Sequence, residues 1–212
     1  MSLHLQEYIE GRGYGFFSLF QDGEPVLCQM HERIWEYPVT GGPSVYARTV
    51  CDRRLEELGL RLLRALRWNG VAMVEFRKAA VDGDYRLMEI NPRFWGSLDL
   101  SIAAGADCPY LAVCRDRDSV APQMAVRSTR YLWVVPDGVL YLTARPGHAF
   151  RFLRLLLSPL VHKNVWLRDP RPLIHQVRDA LYWTKTLLLA GRLRFPQDRP
   201  MLPSCARAAA RH

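Results

Sequence analysis

Two β-rich runs separated by an Asp-Gly pair constrain the fold of this chain more than any other feature. Residues 71–76 read Val-Ala-Met-Val-Glu-Phe, and residues 85–91 read Tyr-Arg-Leu-Met-Glu-Ile-Asn. Asp82-Gly83 lies between them and is a strong signal for a tight turn, so we predict an antiparallel β-hairpin. A turn centred on this pair places Glu75 opposite Glu89, within the one residue of slack that a bulge introduces.

The predicted hairpin brings two carboxylates and an amide to one face of a sheet. Asn91 follows Glu89 by two residues and therefore projects from the same face. Like charges directly opposed in a sheet are destabilising. A hard divalent cation such as Mg²⁺, completed by water and by nucleotide phosphate oxygens, would relieve the repulsion between Glu75 and Glu89. The alternative is an ion-pair network in which Arg77 and Arg93 neutralise the two glutamates.

The composition is that of a globular protein whose positive charge lies near the C-terminus. Of the 212 residues, 49% are hydrophobic and 24% are charged, which excludes overall disorder. Residues 145–212 contain 13 Lys+Arg and 3 Asp+Glu, whereas the chain as a whole carries +8. This basic part, which also holds aromatic residues and leucines, suits an anionic membrane surface or a polyanion, or else amphipathic helices with solvated arginines.

The cysteines and the apolar runs place the chain in the cytoplasm. The five cysteines are odd in number and form no Cys-x-x-Cys pair, and the N-terminus has no signal-peptide pattern. We therefore predict reduced thiols, a cytoplasmic location and no zinc site. The longest apolar runs are too short to span a bilayer, so no transmembrane helix is predicted.

The first seventy residues predict a second hairpin and an amphipathic helix. A glycine-rich stretch at 10–15 leads into a strand rather than a helix, so it lacks the form of a nucleotide phosphate loop. Strands at 14–20 and 25–34 flank Asp22-Gly23. The helix spans 52–68 with Asp52 as its N-cap. Its arginines predict a solvated face and no specific nucleic-acid binding, because no base-reading module accompanies them.

The remaining segments predict helices, a third hairpin and two candidate anion contacts. Gly41-Gly42 lies in a loop that either presents backbone N–H groups to an anion or forms an ordinary turn. Arg93 lies where the second strand of the central hairpin meets a helix, a place suited to a phosphate or carboxylate. Helices are predicted over 97–106, from Pro109, over 147–157 and over 173–190, with a hairpin of strands 130–135 and 139–143 and a loose tail from 192.

Five segments together resemble a known superfamily in their order and spacing. They are Gln6-Glu-Tyr-Ile9, His31-Glu-Arg33, Gly41-Gly-Pro-Ser44, Gly70-Val-Ala-Met-Val-Glu-Phe76 and Leu87-Met-Glu-Ile-Asn-Pro-Arg-Phe-Trp-Gly-Ser97. Over roughly half of the chain they resemble the ATP-grasp superfamily of carboxylate–amine ligases, which includes biotin carboxylase and D-alanine–D-alanine ligase. The Glu-Ile-Asn-Pro-Arg segment is the most specific part of this resemblance.

The resemblance implies a reaction in which ATP phosphorylates a substrate carboxylate and an amine then attacks the acylphosphate. Glu75, Glu89 and Asn91 would hold Mg²⁺, or Mn²⁺, at the ATP phosphates. Arg93 would contact the transferred phosphoryl group or the substrate carboxylate, a bidentate role that suits Arg better than Lys. The protein's contribution would be to position the reactants and to neutralise charge.

The resemblance also implies roles for residues around the nucleotide, with a core or surface role as the open alternative for each. Gln6, Glu7 and Ile9 would run past the adenine. His31 and Arg33 would face the phosphates. The glycines Gly41 and Gly42 would lie beside the substrate.

The chain departs from the superfamily pattern at its N-terminus. Complete members carry an α/β domain and a lid with phosphate-binding lysines before the Gln-Glu-Tyr-Ile segment, whereas five residues precede Gln6 here. We therefore predict an α+β fold of antiparallel sheet and packed helices, with a partial ATP-grasp domain at 1–118, a β-hairpin plus basic helical extension at 119–192 and a flexible tail at 193–212. The chain would then be the C-terminal part of a ligase, either a truncated or split gene product or a fragment whose missing half lies on a partner chain, and inactive by itself. The alternative is a non-catalytic remnant that binds a membrane surface or a polyanion.

Overall fold

The computed structural model describes residues 7–38, 41–113, 127–165 and 170–189. They form an α+β fold around a seven-stranded sheet in the order β5-β4-β1-β2-β3-β6-β7. Neighbouring strands are antiparallel except β6 and β7, which are parallel. The strands are β1 Gly11–Gln21, β2 Glu24–Glu36, β3 Ser44–Thr49, β4 Gly70–Ala79, β5 Tyr85–Asn91, β6 Arg130–Leu132 and β7 His162–Lys163. The α-helices are α1 Arg53–Ala65, α2 Leu98–Ala103, α3 Cys108–Val113, α4 Val139–Ala144, α5 Ala149–Leu157 and α6 Pro170–Leu189.

The central hairpin is confirmed with the predicted register. Strands β4 and β5 are antiparallel, and Glu75 is the direct partner of Glu89. The register shifts by one residue between Glu75 and Phe76, which is the slack that the sequence allowed. In the turn, Gly83 has φ 72°, a left-handed conformation that glycine adopts without strain.

The second hairpin and the first helix are also confirmed. Asp22 and Gly23 both have positive φ, 53° and 85°, as a two-residue hairpin turn requires, and they join β1 to β2. Asp52 caps α1, because its side chain accepts hydrogen bonds from the backbone N–H groups of Arg54 and Leu55.

The two faces of the sheet carry different helices. One face bears Phe16, Met30 and Val74 and packs against α1, and we call it the α1 face. The opposite face bears Phe17 and Met73 and packs against α2, α3 and the segment that precedes them, and we call it the cleft face. Helices α4 and α5 cover the far end of the α1 face, where Trp35 packs with Tyr46, Leu132, Tyr141 and Phe152.

The predicted third hairpin is wrong. Strand β6 ends at Leu132, and a helical turn leads into α4, whose Leu140 and Tyr141 are buried. Asn164 takes up the backbone groups that a hairpin would have paired, since it accepts from Val134 N–H and donates to Val135 C=O, both at 2.7 Å. A short apolar run fits a strand and a buried helix equally well. Here, contacts with residues distant in sequence determine that the segment is helical.

The helical prediction for the C-terminal part is confirmed by α5 and α6. The tail predicted at 193–212 lies outside the described residues. Strands β6 and β7 follow residue 118 and extend the same sheet. The domain boundaries of the sequence analysis remain a prediction. Among the described helices, none has the length and apolar character needed to cross a membrane.

Candidate functional site

A cavity of about 300 Å³ opens on the cleft face and gathers most of the predicted site residues. It lies over β4 and β5 and is closed at its sides by the loop before β3 and the segment before α2. The predicted residues that line it are Arg33, Gly41, Gly42, Glu75, Glu89 and Arg93, and they are joined there by Ser44, Met73, Gly96 and Ser97.

The two glutamates of the hairpin have different partners. Glu75 Oε2 forms an ion pair with Arg33 Nη2 at 2.7 Å, and both side chains are mostly buried. Glu89 Oε1 accepts a hydrogen bond from Asn91 Nδ2 at 2.8 Å. Asn91 therefore lies beside Glu89, although it is not among the residues that line the cavity.

The alternative interpretation, in which Arg77 and Arg93 neutralise the two glutamates, does not match the contacts of these arginines. Arg77 donates to the carbonyl of Gly11 at 3.0 Å, and Arg93 donates to the carbonyl of Phe94 at 3.1 Å. Arg33 takes the place of Arg77 because β2 and β4 lie on either side of β1, and Gly13 on β1 has no side chain in the space that Arg33 occupies. Within the described part of the chain, Glu89 forms no ion pair.

The donor set fits a hard divalent cation that a ligand must complete. Glu75, Glu89 and Asn91 offer carboxylate and amide oxygens, which Mg²⁺ prefers. Across the described ranges, no three His, Cys, Asp or Glu side chains are arranged to hold a metal by themselves.

The loop at Gly41-Gly42 is an ordinary turn. The N–H groups of Gly41 and Gly42 both donate to the carbonyl of Pro38, at 3.1 and 2.8 Å, so they are not offered to an anion. A Cβ at position 42 would lie 2.1 Å from the carbonyl oxygen of Tyr37, which explains the need for glycine there. The loop shapes the wall of the cavity by its backbone.

His31 lies beneath the cavity and does not line it. Its side chain is fully buried, its ring centroid is 4.2 Å from that of Phe17, and its Nε2 is 3.4 Å from Ser97 Oγ. Burial and the neighbouring Arg33 lower the pKa of His31 well below its usual value, so the imidazole is neutral.

The segment predicted to pass the adenine lies away from the cavity. Glu7 is exposed and Ile9 half-buried just before β1, and neither lines the cavity. Gln6 lies outside the described residues.

Glu36 is a charged neighbour of the site that the sequence analysis missed. Its Oε1 is 3.7 Å from Arg33 Nη1, so Glu36 and Glu75 share one guanidinium. Burial raises the pKa of Glu36, although Arg33 and Arg77 oppose this. Gly13 makes room for the pair, since a Cβ there would lie 2.7 Å from Glu36 Oε1. The spacing of Arg33 and Glu36 hints at this contact, but the bulges in β2 that create it have no sequence signal.

Comparison with known proteins gives one family match. Residues 40–135 match the family described as ATP-grasp in the biosynthetic pathway with Ter operon, and the match contains Gly41, Glu75, Glu89, Asn91 and Arg93. No curated protein matches the chain.

Several solved structures resemble parts of the chain at low identity. Biotin carboxylase of Campylobacter jejuni in its β,γ-ATP complex is 15% identical with a TM-score of 0.45, over 59% of this chain and 30% of that one. The N5-carboxyaminoimidazole synthetase of Staphylococcus aureus complexed with ADP is 13% identical with a TM-score of 0.46, over 69% of this chain and 40% of that one. A pyruvate carboxylase of Rhizobium etli is 16% identical with a TM-score of 0.43, over 56% of this chain and 13% of that one.

The chain thus spans well under half the length of these solved proteins. The family match covers the hairpin and the Glu-Ile-Asn-Pro-Arg segment that form the acidic wall of the cavity. Over residues 40–135, just under half of its length, the chain is similar to an ATP-grasp family.

Proposed function

We propose that this chain carries the magnesium- and ATP-binding part of an ATP-dependent carboxylate–amine, or related, ligase that acts through an acylphosphate. The observation that carries the proposal is the direct pairing of Glu75 with Glu89 at the wall of a cavity that also holds Arg33 and Arg93. Arg33 offsets the charge of Glu75, whereas Glu89 forms no ion pair among the described residues, and a bound cation would relieve the repulsion that remains between them. The guanidiniums of Arg33 and Arg93 suit phosphoryl and carboxylate groups.

Each residue has a distinct role in this proposal. Glu75, Glu89 and Asn91 hold Mg²⁺, which when bound neutralises charge on the ATP phosphates. Arg33 holds Glu75 in place through the 2.7 Å ion pair and adds a positive charge at the wall of the cavity. Arg93 donates one N–H to the carbonyl of Phe94. Its other donors orient the transferred phosphoryl group or the substrate carboxylate.

We further propose that the complete site needs protein beyond the described residues. The cavity is lined by two arginines and two glutamates, so its formal charge balances to zero before any nucleotide binds. A triphosphate carries more negative charge than one Mg²⁺ neutralises, and further cations must therefore come from another part of the protein or from a partner. A cover is also needed to exclude water from an acylphosphate.

The first test is calorimetric titration of the purified chain with ATP, with and without Mg²⁺. We expect magnesium-dependent binding in the wild type and a loss of roughly tenfold or more in Glu89→Gln, because one carboxylate ligand is worth at least about 1.4 kcal/mol. Glu57→Gln, which changes an exposed glutamate on α1, is the matched control and should bind like the wild type.

Two results would contradict the proposal. One is binding of ATP that is indifferent to both Mg²⁺ and Glu89→Gln. The other is the absence of any nucleotide binding by the wild-type chain, which would favour a non-catalytic role for the basic C-terminal segment. Salt-sensitive binding to anionic vesicles would then test that segment.

A further inference from the structure

A second cavity, of about 350 Å³, lies on the α1 face, where Glu32 forms its floor. Glu32 and Arg33 are consecutive on β2, so their side chains point to opposite faces of the sheet. Arg12, Arg48 and Arg151 stand around the cavity, and Trp35 forms part of its wall. Arg33 also lines this cavity, whereas Glu32, Arg12, Arg48, Arg151 and Trp35 have no role in the proposed ATP site.

Glu32 organises two of the arginines. It is 1% exposed, and it accepts a hydrogen bond at 2.8 Å from Arg12 Nη1 and two more, at 2.8 and 2.7 Å, from Nε and Nη2 of Arg48. Burial alone would raise the pKa of Glu32, but these hydrogen bonds lower it below the usual value, so the carboxylate is ionised at neutral pH. The side chains of Arg12 and Arg48 remain 74% and 48% exposed, which leaves donors of both available to a ligand.

The charges around this cavity do not balance. Arg151 lies over the ring of Trp35 at 5.2 Å, and no carboxylate pairs with it in the described part of the chain. Arg130 is the direct cross-strand partner of Arg48. The guanidiniums of Arg12, Arg48 and Arg151 therefore outnumber the single carboxylate at this cavity. Arg130 on β6 adds a like charge opposite Arg48, an arrangement that is destabilising without a counter-charge.

We infer that this cavity is a second anion site, which takes a small ligand bearing a phosphate or pyrophosphate group. A planar guanidinium binds phosphate with two parallel hydrogen bonds, and the floor carboxylate holds two such groups in position before the ligand arrives. The volume lies at the lower end of the range for small-molecule pockets, which favours a compact ligand over an extended polyanion.

Titration of the full chain with sodium pyrophosphate in the presence of a metal chelator tests this inference without engaging the magnesium-dependent site. We expect the wild type to bind and both Arg48→Gln and Arg151→Gln to weaken binding roughly tenfold, since one charge-assisted hydrogen-bonding group is lost in each. Arg151→Gln leaves the hydrogen bonds to Glu32 intact, so it still tests the inference if Arg48→Gln fails to fold. Arg48→Lys should bind with intermediate affinity, because lysine keeps the charge but cannot form the two parallel hydrogen bonds of a guanidinium.

Two matched variants separate this site from its alternatives. Arg61→Gln removes the same charge from an exposed position on α1 and should leave the affinity unchanged. Glu89→Gln alters the proposed ATP site and should also leave pyrophosphate binding unchanged.

Four outcomes would overturn the inference. They are no binding of pyrophosphate by the wild type, an equal loss in Arg61→Gln, a loss in Glu89→Gln, or binding that is seen only with long nucleic acids or anionic vesicles.

Discussion

Two carboxylates compete for one guanidinium at the edge of the proposed ATP site. Arg33 lies 2.7 Å from Glu75 and 3.7 Å from Glu36, and Glu36 Oε1 has no hydrogen bond among the described residues. The stronger contact goes to the glutamate that lines the cavity. Glu36 is left as a buried group whose charge is only partly compensated, which explains the direction of its pKa shift.

This raised pKa leads to a pH-dependent expectation for Glu36→Gln. A carboxyl whose pKa is higher in the folded than in the unfolded state stabilises the fold at low pH, and that contribution is lost as the pH rises through the folded pKa. Glutamine has no such dependence. We therefore expect Glu36→Gln to match the wild type near pH 4 and to exceed its melting temperature by about 2 °C at pH 7.

Melting curves recorded by circular dichroism across this pH range measure the effect. Glu24→Gln, at the exposed start of β2, is the control and should show no such trend. A lower melting temperature for Glu36→Gln at every pH would mean instead that the Glu36 charge is needed to hold Arg33.

At the scale of elements, α1 lies unusually close to the sheet. Gly59 sits in the middle of this helix, and a Cβ at that position would be 2.4 Å from the ring of Phe16, which is fully buried. Glycine inside a helix is about 1 kcal/mol less favourable than alanine. The close approach of the helix to β1 is the physical reason for glycine at this position.

Gly59→Ala is therefore expected to destabilise the protein although alanine favours helix. The new methyl group must displace the Phe16 ring in a packed core, and we expect a loss of roughly 1–3 kcal/mol in the free energy of unfolding. Urea denaturation followed by circular dichroism measures it, with Glu57→Ala on the exposed side of α1 expected within about 0.5 kcal/mol of the wild type. A more stable Gly59→Ala would show that Phe16 has room to move.

Elements with local signals could be predicted from the sequence. Asp82-Gly83 sets both the turn and the register that pairs Glu75 with Glu89, and Asp52 marks the start of α1. These residues act on neighbours a few positions away, so the local sequence pattern is enough to predict the turn and the helix start.

Features that depend on distant contacts could not be predicted. The segment at 139–144 is helical because Tyr141 packs on Trp35 and because Asn164 binds the backbone before it. The Arg33–Glu75 pair needs the strand order, which no local pattern contains. The proposed second anion site likewise draws its arginines from three strands and a helix.

At the scale of the whole molecule, the sheet order separates interior strands from edges. Strands β1, β2 and β4 are paired on both sides, whereas β5 and the two-residue β7 lie at the edges. Amide hydrogens of interior strands exchange only when larger parts of the structure open.

Hydrogen exchange followed by mass spectrometry should reproduce this order. We expect amide hydrogens in peptides from β1, β2 and β4 to exchange most slowly, those in peptides from β7 to exchange first, and those from β5 to exchange at intermediate rates. The loop that contains Gly23 provides an internal fast-exchanging reference. Protection of β7 equal to that of β1 would contradict the strand order described here.

The pairing of β1 with β4 has a consequence for how the acidic wall of the cavity assembles. The hairpin that opposes Glu75 and Glu89 closes over a few residues, whereas β1 and β4 join positions 50 residues apart at Phe20 and Gly70 and 68 apart at Gly11 and Ala79. Local pairs close quickly during folding and distant ones slowly. Two negative charges can therefore meet early on the folding pathway, while Arg33, which offsets them, arrives only when β4 docks on β1. Added Mg²⁺ would accelerate refolding if it stands in for Arg33 during that interval.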